Sequence, residues 1–127
     1  MRKLRVYCAG AYSSDNVIGV MDNIRCGLKL SAACAKAGFA VYSPWCDCLL
    51  HFQEHFDLQA CYDYSLPWLE VSDAVLVVPE GAAQSRGTQA ELARAREMEI
   101  PVYWTLDALI EYSNGLRDEL TFAGEGI

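Results

Sequence analysis

The run Ala74-Val75-Leu76-Val77-Val78 constrains the fold more than any other stretch of the chain. It is continuously apolar, so a strand built from it has no face to leave in water. An antiparallel strand with one wet face alternates apolar and polar residues. A continuous run instead suits a central parallel strand covered by helices on both sides. Parallel neighbours need a crossover of a dozen residues or more, usually a helix. The rest of the chain supplies that alternation. Strands are predicted at 3–9, 40–42, 74–78 and 101–104. Apolar residues recur at helical spacing over 23–36, closed by Gly38 as a natural C-cap. Further helices are predicted at 57–71, 88–98 and 106–112, with another turn or two at 116–120. Residues 45–56 read either as an irregular loop or as a short helix carrying His51 and His55. Pro67 must lie near the first turn of its helix or kink it.

The expected fold is α/β: a doubly wound, Rossmann- or flavodoxin-like parallel sheet of four or five strands in a three-layer sandwich, with the first strand central. Such sheets bind ligands beyond the carboxyl ends of their strands, at the point where strand order reverses. That rule places a site on the loops Gly10–Asp15 and Pro79–Thr88 before any other consideration.

Composition narrows the partners. The chain has 127 residues, 53% of them hydrophobic and 21% charged. That is enough apolar material for one core, so residues 1–127 are expected to form a single domain without linker or repeat. The formal net charge of −7 disfavours a nucleic acid polymer, which demands clustered Lys and Arg, but leaves room for one nucleotide. No stretch is long and apolar enough to span a membrane. The start, Met1-Arg2-Lys3-Leu4-Arg5, is basic, but the apolar run behind it ends at Gly10, so no secretory signal is expected and the setting is expected to be cytoplasmic. Cys8, Cys26, Cys34, Cys46, Cys48 and Cys61 are scattered and form no Cys-x-x-Cys. They read as reduced thiols packed as small hydrophobes. The alternative, a metal held by Cys46, Cys48, His51, His55 and Cys61, has helical His spacing in its favour and the poor zinc spacing of Cys-x-Cys against it. The expectation is no metal and no cofactor.

The most informative segment for chemistry is Ser85-Arg86-Gly87-Thr88-Gln89-Ala90-Glu91. A buried strand empties into a loop, Gly87 frees the backbone, and a helix begins whose first amides are open to an anion or hydroxyl. Glu91 stands about a turn in, where a carboxylate can act as base or nucleophile. The competing structural reading is a capping box, in which Thr88 caps the helix and Glu91 bonds back to the Thr88 amide.

Three pieces, in order, resemble the nucleoside 2-deoxyribosyltransferase superfamily, including the nucleoside 5′-monophosphate N-glycosidases and small phage-type members of unknown function. They are Val6-Tyr7-Cys8-Ala9-Gly10-Ala11-Tyr12, then Trp68-Leu69-Glu70-Val71-Ser72-Asp73-Ala74-Val75, then Ser85-x-Gly87-x-x-x-Glu91-x-x-x-Ala95 with Ile100-Pro101-Val102. The resemblance implies cleavage or transfer at the N-glycosidic bond of a (deoxy)nucleoside or nucleoside 5′-monophosphate. Glu91 falls on the family's nucleophile and Tyr7 on the tyrosine that holds it. Gly10, Tyr12, Ser13, Ser85, Arg86, Gly87 and Thr88 fall on the substrate side, with Tyr12 over the base and Ser85 where nucleotide hydrolases meet the 5′-phosphate. The family's leaving-group Asp, eight residues before Asp73, is Ser65 here. Asp63 is two positions away, roughly 200° round a helix, and is the first candidate for the catalytic acid, through a register change in a helix strained by Pro67. Asp15, His51, His55 or a neighbouring subunit are the other candidate acids. A homodimer or higher homo-oligomer is also implied. The alternative function is a nucleotide-binding module of the same fold that does not catalyse.

Overall fold

The computed structural model describes residues 2–125. Four strands, β1 (Arg5–Ala9), β2 (Ala40–Tyr42), β3 (Ala74–Val77) and β4 (Val102–Tyr103), form one sheet in the order β2-β1-β3-β4. Every pairing is parallel. Helices α1 (Val17–Lys36), α2 (Leu58–Glu70), α3 (Arg86–Glu97) and α4 (Leu106–Glu125) follow the strands in turn. The fold is thus the doubly wound α/β sandwich that the apolar run demanded, with β1 in the interior of the sheet.

Alternation along the strands sorts the core into two halves. Val6, Cys8, Ala74, Leu76 and Val78 face one side, with Cys34 of α1 and Leu109 of α4. Tyr7, Ala9, Val75 and Val77 face the other, with Leu69 of α2 and Leu92 and Ala95 of α3. β3 is buried at every position. Each large apolar side chain so buried stabilises the fold by about 1.5–3 kcal/mol.

Several boundaries differ from the sequence expectations. α1 starts six residues earlier than its apolar periodicity, because Asn16 caps it by accepting from the Gly19 amide at 2.8 Å. Its first turn presents Val17 and Ile18 to solvent, so no amphipathic stripe announces it. Gly38 closes α1 with φ +104°, a conformation that favours glycine. The ambiguous segment is a 3₁₀ helix, Pro44–Phe52, which carries His51 but not His55. Pro67 lies inside α2 rather than in its first turn. The two short pieces expected after β4 are one continuous helix, α4. Among the described residues, no helix is long and apolar enough to cross a membrane.

Candidate active site

Chain order runs outward from β1 to β2 and then crosses to β3 on the other side of β1. The reversal therefore falls between β1 and β3, and the loops leaving these strands flank a cleft of about 1180 Å³. Its walls bring together Tyr7, Gly10, Tyr12, Ser13, Ser65, Ser85, Arg86, Gly87, Thr88 and Glu91. Asp63 is not among them.

The first loop is held from beneath. Trp45, 2% exposed, donates from its indole nitrogen to the Ala11 carbonyl at 3.0 Å. Asn23 of α1 donates to the carbonyls of Tyr12 at 3.1 Å and Ser13 at 3.3 Å. The Trp45 ring fills the space a side chain would occupy at Gly10: a Cβ there would lie 2.8 Å from its Cζ2 and 2.9 Å from Val78 Cβ. Gly10 is thus a packing requirement as well as part of the cleft wall.

The second loop ends at Ser85, which is the N-cap of α3. Its hydroxyl accepts from the Thr88 amide at 3.2 Å and from the Thr88 hydroxyl at 2.8 Å. This corrects the capping-box reading. The helix begins at Arg86, so Thr88 lies within the first turn, and Glu91 is too far along to bond back to the helix start. First-turn amides have no partner inside a helix, and here that turn forms part of the cleft wall.

Freed from any capping role, Glu91 points into the protein. It is 8% exposed, and its Oε2 has no hydrogen-bond partner. The Tyr7 hydroxyl, from a side chain that is fully buried, is likewise unpartnered. Each such orphan costs about 1–3 kcal/mol. The two groups are neighbours without a formed hydrogen bond, close enough for each to move the other's proton. Burial pushes the Glu91 carboxyl up to about 7, while the Tyr7 hydroxyl pulls against it. Burial first, and then the Glu91 charge, drive the Tyr7 phenol far above its ordinary value. The buried Ser65 hydroxyl also faces Tyr7 and donates to the Tyr62 carbonyl at 3.3 Å.

Other candidates lie elsewhere. Asp63 is exposed on α2 and accepts from Gln59 at 2.9 Å. Pro67 leaves α2 unbroken, so the register change that would turn Asp63 inward has not occurred. Asp15 and His55 are exposed and outside the cleft wall. Cys48, His51 and Cys61 line the cleft, and Cys61 Sγ lies 3.5 Å from His51 Nε2. Among the described residues, no three His, Cys, Asp or Glu side chains gather where they could hold a metal.

Two features escaped the sequence. Tyr42 pairs in register with Tyr7 on adjacent strands, and their rings stack at 5.4 Å, with Trp68 stacked beyond at 5.6 Å. The Tyr42 hydroxyl donates to Asp47 Oδ2 at 2.5 Å. The register of two parallel strands, which brings the tyrosines side by side, cannot be read from either strand alone. No protein-family model matches the chain, and no curated protein matches it.

Proposed function

We propose that this protein acts at the N-glycosidic bond of a (deoxy)nucleoside or nucleoside 5′-monophosphate, with Glu91 as nucleophile, in transfer to a second base or in hydrolysis. One observation carries the reading: the unpartnered Glu91 carboxyl and Tyr7 hydroxyl, buried side by side at a switch-point cleft. Two orphaned polar atoms are expensive to keep unless a ligand completes them. A carboxylate that attacks the anomeric carbon and a hydroxyl that steers it are what retaining cleavage through an oxocarbenium-like transition state requires. Ser85, Arg86 and the first amides of α3 supply donors for a 5′-hydroxyl or phosphate.

The six free cysteines suit a reducing, cytoplasmic setting. A homodimer or higher homo-oligomer belongs to the same reading, with exposed Val17, Ile18 and Met21 on α1 as available apolar surface.

The test is release of free base from 2′-deoxyadenosine and its 5′-monophosphate, with and without an acceptor base. Wild-type protein is expected to release base, and Glu91→Gln to lose that activity while keeping its fold by circular dichroism. A Glu91→Gln variant with the wild-type rate overturns the nucleophile. A second reading, a binding module without turnover, draws on Ser65, which puts a hydroxyl where the resembling enzymes place their acid. It expects nucleotide binding by both proteins and base release by neither.

A further inference from the structure

Expelling a neutral purine as an anion is unfavourable, so departure calls for an acid. None of the positions read from the sequence is suited to it. Asp63, Asp15 and His55 lie outside the cleft wall, and Ser65 has only a hydroxyl. His51 reaches the wall but is exposed and engaged with Cys61. Besides Glu91, the wall contains two carboxyls, Asp22 and Asp47. Asp22 is solvent-exposed and ion-paired with Arg25 at 3.2 Å. Asp47 is half-buried, on the 3₁₀ helix that follows β2, and its Oδ2 is fixed by Tyr42. Its Oδ1 accepts no hydrogen bond among the described residues.

Glu91 and Asp47 each stand beside one of the two stacked tyrosines. Tyr7 on β1 stands beside Glu91, which reaches the cleft from the β3 side. Tyr42 on β2 holds Asp47, which reaches it from the β2 side. We propose that Asp47, held by Tyr42, is the catalytic acid that gives the departing base its proton, opposite the nucleophile Glu91. The inference rests on the glycosidic reading above.

The step balances as follows. A Glu91 carboxylate oxygen forms a bond to C1′ as the C1′–N bond breaks. The electron pair of that bond goes to the base nitrogen, and the Asp47 proton moves to the base. This leaves a sugar ester on Glu91 and a carboxylate at Asp47. In the second step Asp47 takes a proton from the attacking water or incoming base, and the ester opens to restore Glu91.

The environment of Asp47 suits an acid. Burial raises its carboxyl above the ordinary value, while the Tyr42 hydrogen bond and then the His51 charge pull it back. Cys61 on α2 faces it as well and is pushed up, first by its own burial and then by Asp57 and Asp47. Tyr42 is driven far above its ordinary value by burial and by Asp47, so it remains a donor.

The experiment compares 2′-deoxyguanosine 5′-monophosphate with its 7-methyl analogue. While it keeps its N1–H, the methylated base is already cationic and departs without an added proton. Asp47→Asn is expected to lose about 10²–10⁴-fold with the ordinary nucleotide and to keep most of its rate with the methylated one. Glu91→Gln is expected to lose both. The wild-type pH profile is a second, variant-free measurement. Over the range in which the methylated base keeps its N1–H, the ordinary nucleotide should show a falling limb as the acid is deprotonated, and the methylated one should lack it. Tyr42→Phe removes a bond that holds the Asp47 carboxyl down, so it should move that limb to higher pH, the mark of a positioning residue. Wild-type protein inert toward both substrates overturns the glycosidic reading and the acid with it. Active wild-type protein whose Asp47→Asn variant keeps its rate on the ordinary nucleotide overturns the acid alone. If Asp47→Asn does not fold, equal falling limbs with both substrates over that range overturn it.

Discussion

Glu91 is a residue whose burial works against the fold, and the pH dependence of stability should report it. Its carboxyl titrates near 7 in the folded protein against an ordinary 4.5. The folded state therefore binds more protons than the unfolded state between those values. Stability falls as pH rises through this window, and the deficit is complete above about pH 7. A shift of this size corresponds to about 3 kcal/mol. Glu91→Gln does not titrate. Its advantage over wild type in urea or thermal melts is expected to be small at pH 4.5 and to grow toward about 3 kcal/mol at pH 8. A gap that stays constant across that range would show that the carboxyl is not desolvated. The same residue shows the limit of local pattern. Thr88-x-x-Glu91 has the spacing of a capping box, but Ser85 takes the cap. The cap lies three residues earlier than that spacing suggests, and the shift separates a surface bond from a buried carboxylate.

At the scale of elements, the strands and most helices were legible because their residues repeat with the period of the structure they form. The run 74–78 declared β3, and Gly38 closed α1. What was not legible depends on contacts between elements. Trp45 is the clearest case: it lies in the segment that resisted assignment, yet it is buried and fixes the first loop. Its seat is Gly27 of α1, where a Cβ would lie 2.0 Å from the ring Cδ2. A mid-helix Gly→Ala change ordinarily stabilises by about 1 kcal/mol. At Gly27 the overlap should win, because a fully buried indole has nowhere to move. Gly27→Ala is expected to destabilise by about 1–3 kcal/mol and to loosen the Tyr12–Ser13 loop. Gly115→Ala on α4, with nothing within 4 Å of a new Cβ, is the control and should be neutral or stabilising. Equal melts for the two variants would mean that Trp45 does not hold the loop. Arg94 of α3 donates to Glu70 of α2 at 2.9 Å from Nε and 2.5 Å from Nη2. This ties together the two helices that present Glu91 and Ser65.

The whole molecule combines a net charge of −7 with a cleft whose polar donors gather at the start of α3. These two properties pull in opposite directions for an anionic ligand. A long polyanion meets the repulsion of the acidic surface along its length and finds no continuous basic track. On the proposed reading a single nucleotide would meet the first α3 amides, Ser85 and Arg86 at one point, and such contacts act over a few ångströms where the distant charges are screened. Local donors should therefore win for a mononucleotide, and net charge should win for a polymer. A ligand that binds only the folded state stabilises it by about 2.7 kcal/mol when present at 100 times its Kd. 2′-Deoxyadenosine 5′-monophosphate is expected to raise the Tm of the Glu91→Gln variant, which cannot consume it. A 20-nucleotide single-stranded DNA at equal phosphate concentration should leave the Tm unchanged. Ser85→Asp, which sets a carboxylate against the phosphate, is expected to remove the shift given by the nucleotide and to spare the one given by 2′-deoxyadenosine. A stronger shift with DNA than with the nucleotide would overturn the mononucleotide cleft, and an undiminished nucleotide shift in Ser85→Asp would move the phosphate away from the start of α3.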